Sequence, residues 1–440
     1  MRRPLPVFDP DMALLPRPCD PLFDLTIAVV TPLFGGGSVP CVTDDTHPVR
    51  GASVRGHLRF WWRACKAGAY ASPDDLFAAE EKIWGSITLP GALTVSIETL
   101  AAGRARPCVE DRGRFQDHYP AYALFPFQGD KKSGTTPADA REGVRFRLRL
   151  GLAAGVDTAT KDSLAAAAKA ALWAWITFGG IGARTRRGCG TLYCADPLFA
   201  PPDRPGDLTS WLRQAAREHV TSSAPRLPVP ALHGSRLLLG REQKAPLLAW
   251  ESAVNVMYDY RQKTGAGRDI GQSSNRPGRS RWPEPDSIRR LAGTSSRGHE
   301  PAHPADAYYP RADLGLPIIF HFKDQRGGDP SDATLQARGE QATRMASPII
   351  LKALPLSERQ AVPLVLCLNA LHIWDKGVPD VELRYGNRPY LLDKEAHLRG
   401  SGKSALVEPL REQGRNAAGA REGFMRFAAG TGAFFGEITL

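Results

Sequence analysis

The sequence lacks the spacing that disulfide frameworks and cysteine-rich zinc sites require. Its 7 cysteines are scattered and odd in number, and none forms a CxxC pair. Long hydrophobic runs are also missing, since the most apolar stretch, residues 165–178, is too short to span a bilayer and ends in two glycines. No apolar segment follows the basic N-terminus, as a secretion signal would need. These absences favour a cytoplasmic protein without a membrane segment.

Acidic residues are fewer than basic residues. Lys and Arg number 57 against 46 Asp and Glu, which gives a formal net charge of +11. Hydrophobic residues make up 42% of the chain, so it has enough apolar surface for a packed core, and its 440 residues predict at least two domains. The positive charge favours an anionic partner, but charge alone does not separate nucleic acid from acidic protein or a membrane surface.

The first 200 residues alternate strand and helix patterns. The predicted strands are residues 23–30, 93–98, 144–150 and 190–194, and the predicted helices are residues 53–68 and 163–178. This order, β-α-β-β-α-β, is the ferredoxin-like (RRM-like) arrangement of an α+β fold, with a long insertion between the middle strands. We therefore predict an N-terminal domain over residues 1–199.

A second domain is predicted over residues 231–440, after a proline-rich linker at 200–230. Its predicted elements are strands at 235–239, 317–322, 348–354 and 362–368 and a helix at 247–262. The pattern suggests a diverged ferredoxin-like copy of the first domain. Residues 264–311 show little periodicity and predict a long, mobile functional loop.

Four cations of the first predicted helix share one face. Arg55, Arg59, Arg63 and Lys66 lie within about 80° of one another on a helical wheel, beside an apolar face. No acidic residue interrupts this basic stripe along the helix. The stripe predicts phosphate contacts, and a solvated amphipathic helix is the alternative.

Residues 179–190 (GGIGARTRRGCG) place five glycines and three arginines directly after the second helix. Glycine lets a backbone approach a ligand closely, so Gly180 and Gly182 could present amides to phosphates while Arg184, Arg186 and Arg187 supply charge. The segment matches neither the dinucleotide fingerprint nor the nucleotide phosphate loop, and the chain has no GxSxG hydrolase elbow. A glycine-rich turn is the alternative interpretation.

The predicted loop at 264–311 is rich in arginine and also holds aromatic residues. From this set Arg279, Arg281, Trp282 and Arg290 are candidate RNA contacts, because guanidinium groups hold phosphates while aromatic faces stack bases. Its other arginines are Arg268, Arg276, Arg289, Arg297 and Arg311, and Tyr308 and Tyr309 are its tyrosines. A disordered loop without RNA contacts is the alternative.

Two motifs resemble metal or catalytic sites. His299 to His303 read HEPAH, but Pro301 breaks the helix that a zinc hydrolase needs, so no metal site is predicted. Asp44 and Asp45, between the first strand and the basic helix, could hold a metal or assist attack by an RNA 2′-hydroxyl. A solvated turn is the more ordinary interpretation of such a pair.

Several segments resemble the RAMP (repeat-associated mysterious protein) superfamily, and most of all the subunit-one family of type III-B CRISPR effectors. They are VRGHLRFWWRA at 54–64, IWGS at 83–86, FGGIGARTRRGCG at 178–190, SRWPEPDSIRR at 280–290, YPRADLGLPIIFHF at 309–322 and RMASPIILKAL at 344–354. The resemblance covers both predicted domains. At Cys189 the chain departs from it, because the family loop is expected to carry an aromatic residue there.

The resemblance implies a non-catalytic RNA-binding subunit with two ferredoxin-like domains and no cofactor. It would contact CRISPR RNA near its 3′ region, help capture target RNA, and assemble with the other subunits of the effector complex. Asp44 and Asp45 lie where the superfamily's nuclease subunit has its catalytic loop. A metal-dependent endoribonuclease using these two residues is therefore the alternative function.

Overall fold

The computed structural model describes residues 21–37, 39, 41–110, 113–130, 134–224, 226–272, 278–304, 307–339, 344–412 and 415–440. Arg276, one of the arginines in the predicted loop, lies outside the described residues. Within the described ranges, no helix is long and apolar enough to cross a membrane.

The described chain forms α-helices separated by short strands. The helices are α1 (Gly51–Lys66), α2 (Pro73–Trp84), α3 (Ala121–Leu124), α4 (Lys161–Phe178), α5 (Leu208–His219), α6 (Pro246–Gln262), α7 (Glu284–Ala292) and α8 (Ala420–Gly430). The strands are β1 (Phe23–Val29), β2 (Leu33–Phe34), β3 (Leu93–Ala101), β4 (Arg104–Pro107), β5 (Asp139–Glu142), β6 (Arg145–Leu152), β7 (Leu192–Cys194), β8 (Ala231–Leu239), β9 (Ile318–Phe320), β10 (Ala333–Ala337), β11 (Ile349–Pro355), β12 (Ala361–Asn369), β13 (Val381–Tyr385), β14 (Arg388–Leu392), β15 (Arg411–Glu412), β16 (Arg415–Asn416) and β17 (Ile438–Thr439).

The first sheet has the order β3-β6-β1-β7, and all neighbouring strands are antiparallel. Strand β6 shows why the residues form this sheet: Phe146, Leu148 and Leu150 are fully buried, whereas the arginines between them face outward. The helices α1 and α4 pack against each other and share one hydrophobic core with the buried side of these strands. The elements follow one another as β1, α1, β3, β6, α4 and β7.

A second sheet has the order β11-β12-β8-β17, again with antiparallel neighbours. Its elements follow one another as β8, α6, β11, β12, α8 and β17, so both sheets have the same connectivity. A third sheet, β14-β13-β10-β9, and the small sheets β2-β5-β4 and β15-β16 are added to this frame. The α+β class predicted from the sequence is confirmed.

Both faces of the second sheet are buried. On β12, Leu364 and Leu366 join the core that contains α1, α4 and the first sheet, whereas Val365 and Cys367 join the core that contains α6 and α8. The structure therefore has four layers in the order sheet, helices, sheet, helices. This position explains why the C-terminal half of α4, residues 170–178, is buried on all sides, because it lies between two sheets.

We call the described residues from 21 to 224 the first lobe and those from 226 to 440 the second lobe. One buried lysine links the two lobes. Lys352, on β11, is completely inaccessible to solvent, and its Nζ donates hydrogen bonds to the carbonyls of Thr177 at 3.0 Å and Gly179 at 2.8 Å. Those carbonyls belong to the C-terminal end of α4, where the helix dipole favours a positive group. Burial lowers the pKa of Lys352 to about 7.

Two segments differ from the sequence-based predictions. The predicted linker at 200–230 contains α5, whose Leu208 and Leu212 are buried in the first core. The described part of the predicted mobile loop at 264–311 contains α7, and its Trp282, Ile288 and Tyr308 are buried. Periodicity did not predict this packing, because it depends on ion pairs such as Arg279 with Asp286 and Arg281 with Asp269, which do not follow a helix or strand repeat.

The buried lysine gives stability a pH dependence. The folded state keeps Lys352 neutral above about pH 7 while the unfolded chain binds a proton up to its ordinary pKa, near 10.4. The wild-type free energy of unfolding should therefore rise from pH 7.5 to 9, relative to Lys352→Met, by up to about 1.4 kcal/mol per pH unit. Urea unfolding at several pH values measures this difference. Lys161→Met, at an exposed position of α4, is the control and should keep the wild-type pH dependence.

Candidate nucleic-acid interface

The basic stripe on α1 is partly neutralised by a residue from another helix. Glu80 of α2 is buried, and its carboxylate forms ion pairs with Arg59 and, at 2.5 Å, with Arg63. The expectation of an uninterrupted basic face was therefore wrong, because a helix neighbour supplies the acid that the α1 segment lacks. Arg55 is exposed and Lys66 is partly exposed at the end of α1, and neither has an acidic partner among the described residues.

Backbone hydrogen bonds hold the glycine-rich loop in place. The amides of Ile181, Ala183 and Gly190 donate to the carbonyls of Gly190, Phe34 and Pro32 at 2.8 to 2.9 Å. Gly180 is buried, and a β-carbon there would come within 2.9 Å of the Gly190 carbonyl oxygen. Glycine is therefore required at position 180 because the packed backbone leaves no room for a side chain. Gly182 is exposed, but glycine is required there too, because its φ is +87° and a β-carbon would come within 2.5 Å of the Phe34 carbonyl oxygen.

Two of the three loop arginines connect the lobes. The Nη1 of Arg187 donates to the carbonyl of Ile349 at 2.9 Å, and that of Arg186 donates to the carbonyl of Ser347. Both acceptors lie at the start of β11, in the second lobe. Arg186 also lies over the ring of Phe60, 5.3 Å from its centroid. These two guanidinium groups hold the loop against the second lobe.

Arg184 is arranged differently from its neighbours. Its backbone has a positive φ of 57°, and its guanidinium lies 5.9 Å from the centroid of the Phe125 ring. The side chain of Arg184 has no acidic partner among the described residues.

The neighbouring Arg187 shows that positive charges lie close together here. Burial, with smaller contributions from Arg184, Arg261 and Arg186, lowers the pKa of Arg187 to about 10. Positive charge is therefore concentrated where the loop meets the second lobe.

Several arginines of the described part of 264–311 form ion pairs within the protein. Asp286 is buried and accepts hydrogen bonds from Arg279 at 2.8 Å and Arg289 at 3.2 Å. Despite its burial, hydrogen bonds from His303 and the charge of Arg279 hold the pKa of Asp286 below its usual range. Arg281 pairs with Asp269 at 2.8 Å. Ion pairs inside the lobe thus satisfy these predicted phosphate ligands.

The aromatic residues of the same segment are not available for stacking. Trp282, Tyr308 and Tyr309 are all at most 1% exposed. The predicted stacking by Trp282 was therefore wrong for this structure, because its ring packs edge-on against Tyr260 in the core of the second lobe. Arg290 donates to the carbonyl of His303.

The histidines of the HEPAH motif form hydrogen bonds within the protein. His299 hydrogen-bonds Asp329 at 3.1 Å, whereas His303 hydrogen-bonds Asp286 at 2.7 Å. The two histidines therefore bind different carboxylates and do not point to one common metal position. No group of His, Cys, Asp and Glu that could hold a metal ion was found among the residues that the structure describes.

Asp44 and Asp45 are likewise engaged. Asp44 accepts hydrogen bonds from the backbone amides of Thr46 and His47, which lower the pKa of its carboxyl. Asp45 forms an ion pair with the buried Arg141. The hydrogen bonds of Asp44 are those of a side chain that closes a turn, and the lowered pKa makes its carboxylate a weaker general base.

The structure also brings together four residues that the sequence analysis did not select. Tyr122 and Phe125 come from the insertion of the first lobe, and Tyr258 and Arg261 come from α6 of the second. All four lie beside Arg184 or beside one another. The run YALFPF around Phe125 was the available sequence signal, since it places three aromatic residues in a short segment of the insertion.

Sequence comparison identifies the region that holds most of this surface. Residues 26–193, from β1 to β7, match the model of the RAMP superfamily. The predicted resemblance to the RAMP superfamily is confirmed. The matched RAMP region contains α1, α4 and the glycine-rich loop.

Two curated relatives come from Pyrococcus furiosus. CRISPR system Cmr subunit Cmr1-1 is 28% identical over 153 residues, which are 34% of this chain and 42% of the relative. CRISPR system Cmr subunit Cmr1-2 is 28% identical over 187 residues, 39% of this chain and 92% of that relative. The chain thus spans less than half the length of the first of these relatives.

Solved structures with a similar fold include two from CRISPR systems. The apo form of Cmr1 from Pyrococcus furiosus is 16% identical, with 85% of this chain and 94% of that chain covered and a TM-score of 0.46. A chain of the type III-B Cmr-beta complex bound to cognate target RNA is 14% identical, with 80% and 96% covered and a TM-score of 0.45.

Removing one inter-lobe arginine should destabilise the protein more than removing Arg184. Arg187→Ala leaves the carbonyl of Ile349 without its charged donor and should cost about 2 kcal/mol of unfolding free energy. Arg184→Ala removes an equal charge from the same loop and should cost less than half as much. Urea unfolding compares the two variants. Equal losses would show that Arg187 does not hold the lobes together.

Proposed function

We propose that this chain is a non-catalytic RNA-binding subunit of a type III-B CRISPR ribonucleoprotein. It contacts CRISPR RNA near its 3′ region, helps capture target RNA in antiviral defence, and assembles with the other subunits of the effector in the cytoplasm. Its two lobes act as a pair of ferredoxin-like domains. The RAMP match and the names of the two curated relatives support this proposal.

The observation that carries the proposal is the concentration of guanidinium groups at the glycine-rich loop. Arg184, Arg186 and Arg261 lie close enough to Arg187 for their charges to lower its pKa. Among the residues that the structure describes, none of these four arginines forms an ion pair with a carboxylate. An uncompensated group of arginines of this kind attracts a polyanion, and RNA phosphates form charge-assisted hydrogen bonds with such groups.

The predicted RNA contacts take different parts in this proposal. Arg55, Lys66, Gly182 and Arg184 are accessible and would contact RNA phosphates directly. Arg59, Arg63, Arg186, Arg187, Arg279, Arg281 and Arg290 have protein partners and would position the surface. Their ion pairs and hydrogen bonds fix the backbone from which the accessible groups project.

Removal of accessible charges should change the salt dependence of RNA binding. Arg55→Ala/Arg184→Ala should weaken binding of a single-stranded RNA regardless of its sequence. It should also flatten the plot of log K against log salt by about 1.4, which is about 0.7 for each lost phosphate contact. Filter binding at several salt concentrations measures the slope.

The matched control is Arg213→Ala/Arg217→Ala, which removes the same charge from exposed positions of α5. Its salt slope should equal that of the wild type. A flattened slope in both double variants would mean that RNA responds only to net charge, and the proposed surface would be wrong.

The purified chain should cleave no RNA in the presence of Mg²⁺ or Mn²⁺. The reason is that Asp44 caps a turn and Asp45 is paired with Arg141. Gel analysis of a labelled RNA measures this. Metal-dependent cleavage that disappears in Asp44→Ala/Asp45→Ala would favour the endoribonuclease alternative.

A further inference from the structure

Phe125 presents an aromatic ring at the surface of the first lobe. It lies in a short 3-10 turn, Phe125–Phe127, and is 56% exposed, which is unusual for phenylalanine. The turn is anchored from below, because the ring of Phe127 stacks on that of the buried Phe34 with 4.7 Å between centroids. The exposed ring is therefore held on an ordered support, with Arg184 at its face.

The second lobe contributes the other half of this surface. Tyr258 of α6 is 44% exposed, and its ring meets that of Tyr122 edge-on with 5.9 Å between centroids. Arg261 donates a hydrogen bond to the hydroxyl of Tyr122 at 2.7 Å and lies over the same ring. We call Tyr122, Phe125, Arg184, Tyr258 and Arg261 the aromatic-arginine cluster.

The polar groups of this cluster are incompletely satisfied within the described residues. The Nε atoms of Arg184 and Arg261 are shielded from solvent and have no hydrogen-bond partner there. The nearby acids of α6 are engaged elsewhere, since Glu251 pairs with His118 and Asp259 pairs with Lys263. Among the described residues no carboxylate pairs with either guanidinium group, so the cluster is suited to an anionic ligand.

We propose that the aromatic-arginine cluster is a stacking site for unpaired bases of single-stranded RNA that crosses the seam between the two lobes. The inference rests on the proposed function and specifies where it acts. One base stacks on the exposed face of Phe125 and another on Tyr258, while Arg184 and Arg261 hold the phosphates between them. Alternation of aromatic faces with guanidinium groups is how proteins bind single strands without reading sequence.

An acidic peptide would use only part of this surface. Its carboxylates would be held by the two arginines, but the exposed rings of Phe125 and Tyr258 would gain no stacking partner. Nucleobases use both the rings and the charges, because every base has an aromatic face. The cluster therefore favours RNA, and peptide binding is one outcome that the experiment separates.

The test uses the full chain and two single-stranded RNAs of equal length, one intact and one with abasic sites in its central positions. The wild type should bind the intact RNA at least about fivefold more tightly, the lower end of the range for loss of one stacked base. Phe125→Ala and Tyr258→Ala should each reduce that preference. Phe125→Leu, which keeps apolar bulk and removes the aromatic face, should behave like Phe125→Ala. A 2-aminopurine base in the RNA reports stacking directly, through quenching that these variants lose.

The matched control is Phe77→Ala, which removes a phenylalanine of similar exposure, 51%, from α2. It should keep the wild-type preference. Equal binding of intact and abasic RNA by the wild type would overturn the stacking site while leaving RNA binding in place. Absence of binding to either RNA would overturn the proposed function itself. Tighter binding of a poly-glutamate peptide than of RNA, weakened by Arg184→Ala, would assign the cluster to an acidic partner instead.

Discussion

The contact between Lys352 and the end of α4 determines how the rest of the structure is arranged. It is a lysine placed in an otherwise apolar strand, and it is tolerated because the carbonyls of Thr177 and Gly179 accept hydrogen bonds from its Nζ. Gly179 is the first residue of the glycine-rich loop. The same interaction therefore joins the lobes, completes the end of α4 and sets the position from which the loop arginines extend.

Arginine content was a poor guide to where a ligand binds, for a physical reason. Burying a guanidinium requires an acceptor, and this chain supplies acceptors from distant parts of the sequence, as when Glu80 meets Arg59 or Glu284 meets Arg311 at 3.0 Å. Such pairs look like free positive charge until the fold brings them together. The arginines relevant to a ligand are those whose acceptors the fold does not provide, and Arg184 is the clearest example.

Periodicity predicted the main helices and strands well, because each of them follows a pattern within its own segment. The alternation in β6 and the apolar face of α1 were visible within single segments, and both elements lie where they were predicted. The packing of residues 264–311 could not be predicted in this way. Trp282 is buried by contacts with Tyr260 and Arg311, and Asp286 gathers donors on both sides of it in the chain. The cluster at Phe125 was missed for the same reason, since its members come from two lobes.

The four-layer arrangement has a consequence for synthesis of the protein on the ribosome. The first lobe is translated first and carries α1 and α4. The sides of these helices that face away from the first sheet are apolar, and they are synthesised before β8. The inner face of the second sheet packs on that apolar surface in the folded protein, so the later part of the chain has an apolar partner already made when it leaves the ribosome. Released on its own, the second lobe would expose the whole Leu364 and Leu366 face of its sheet to water. Each lobe has its own sheet, but the core between the two sheets is built by both lobes.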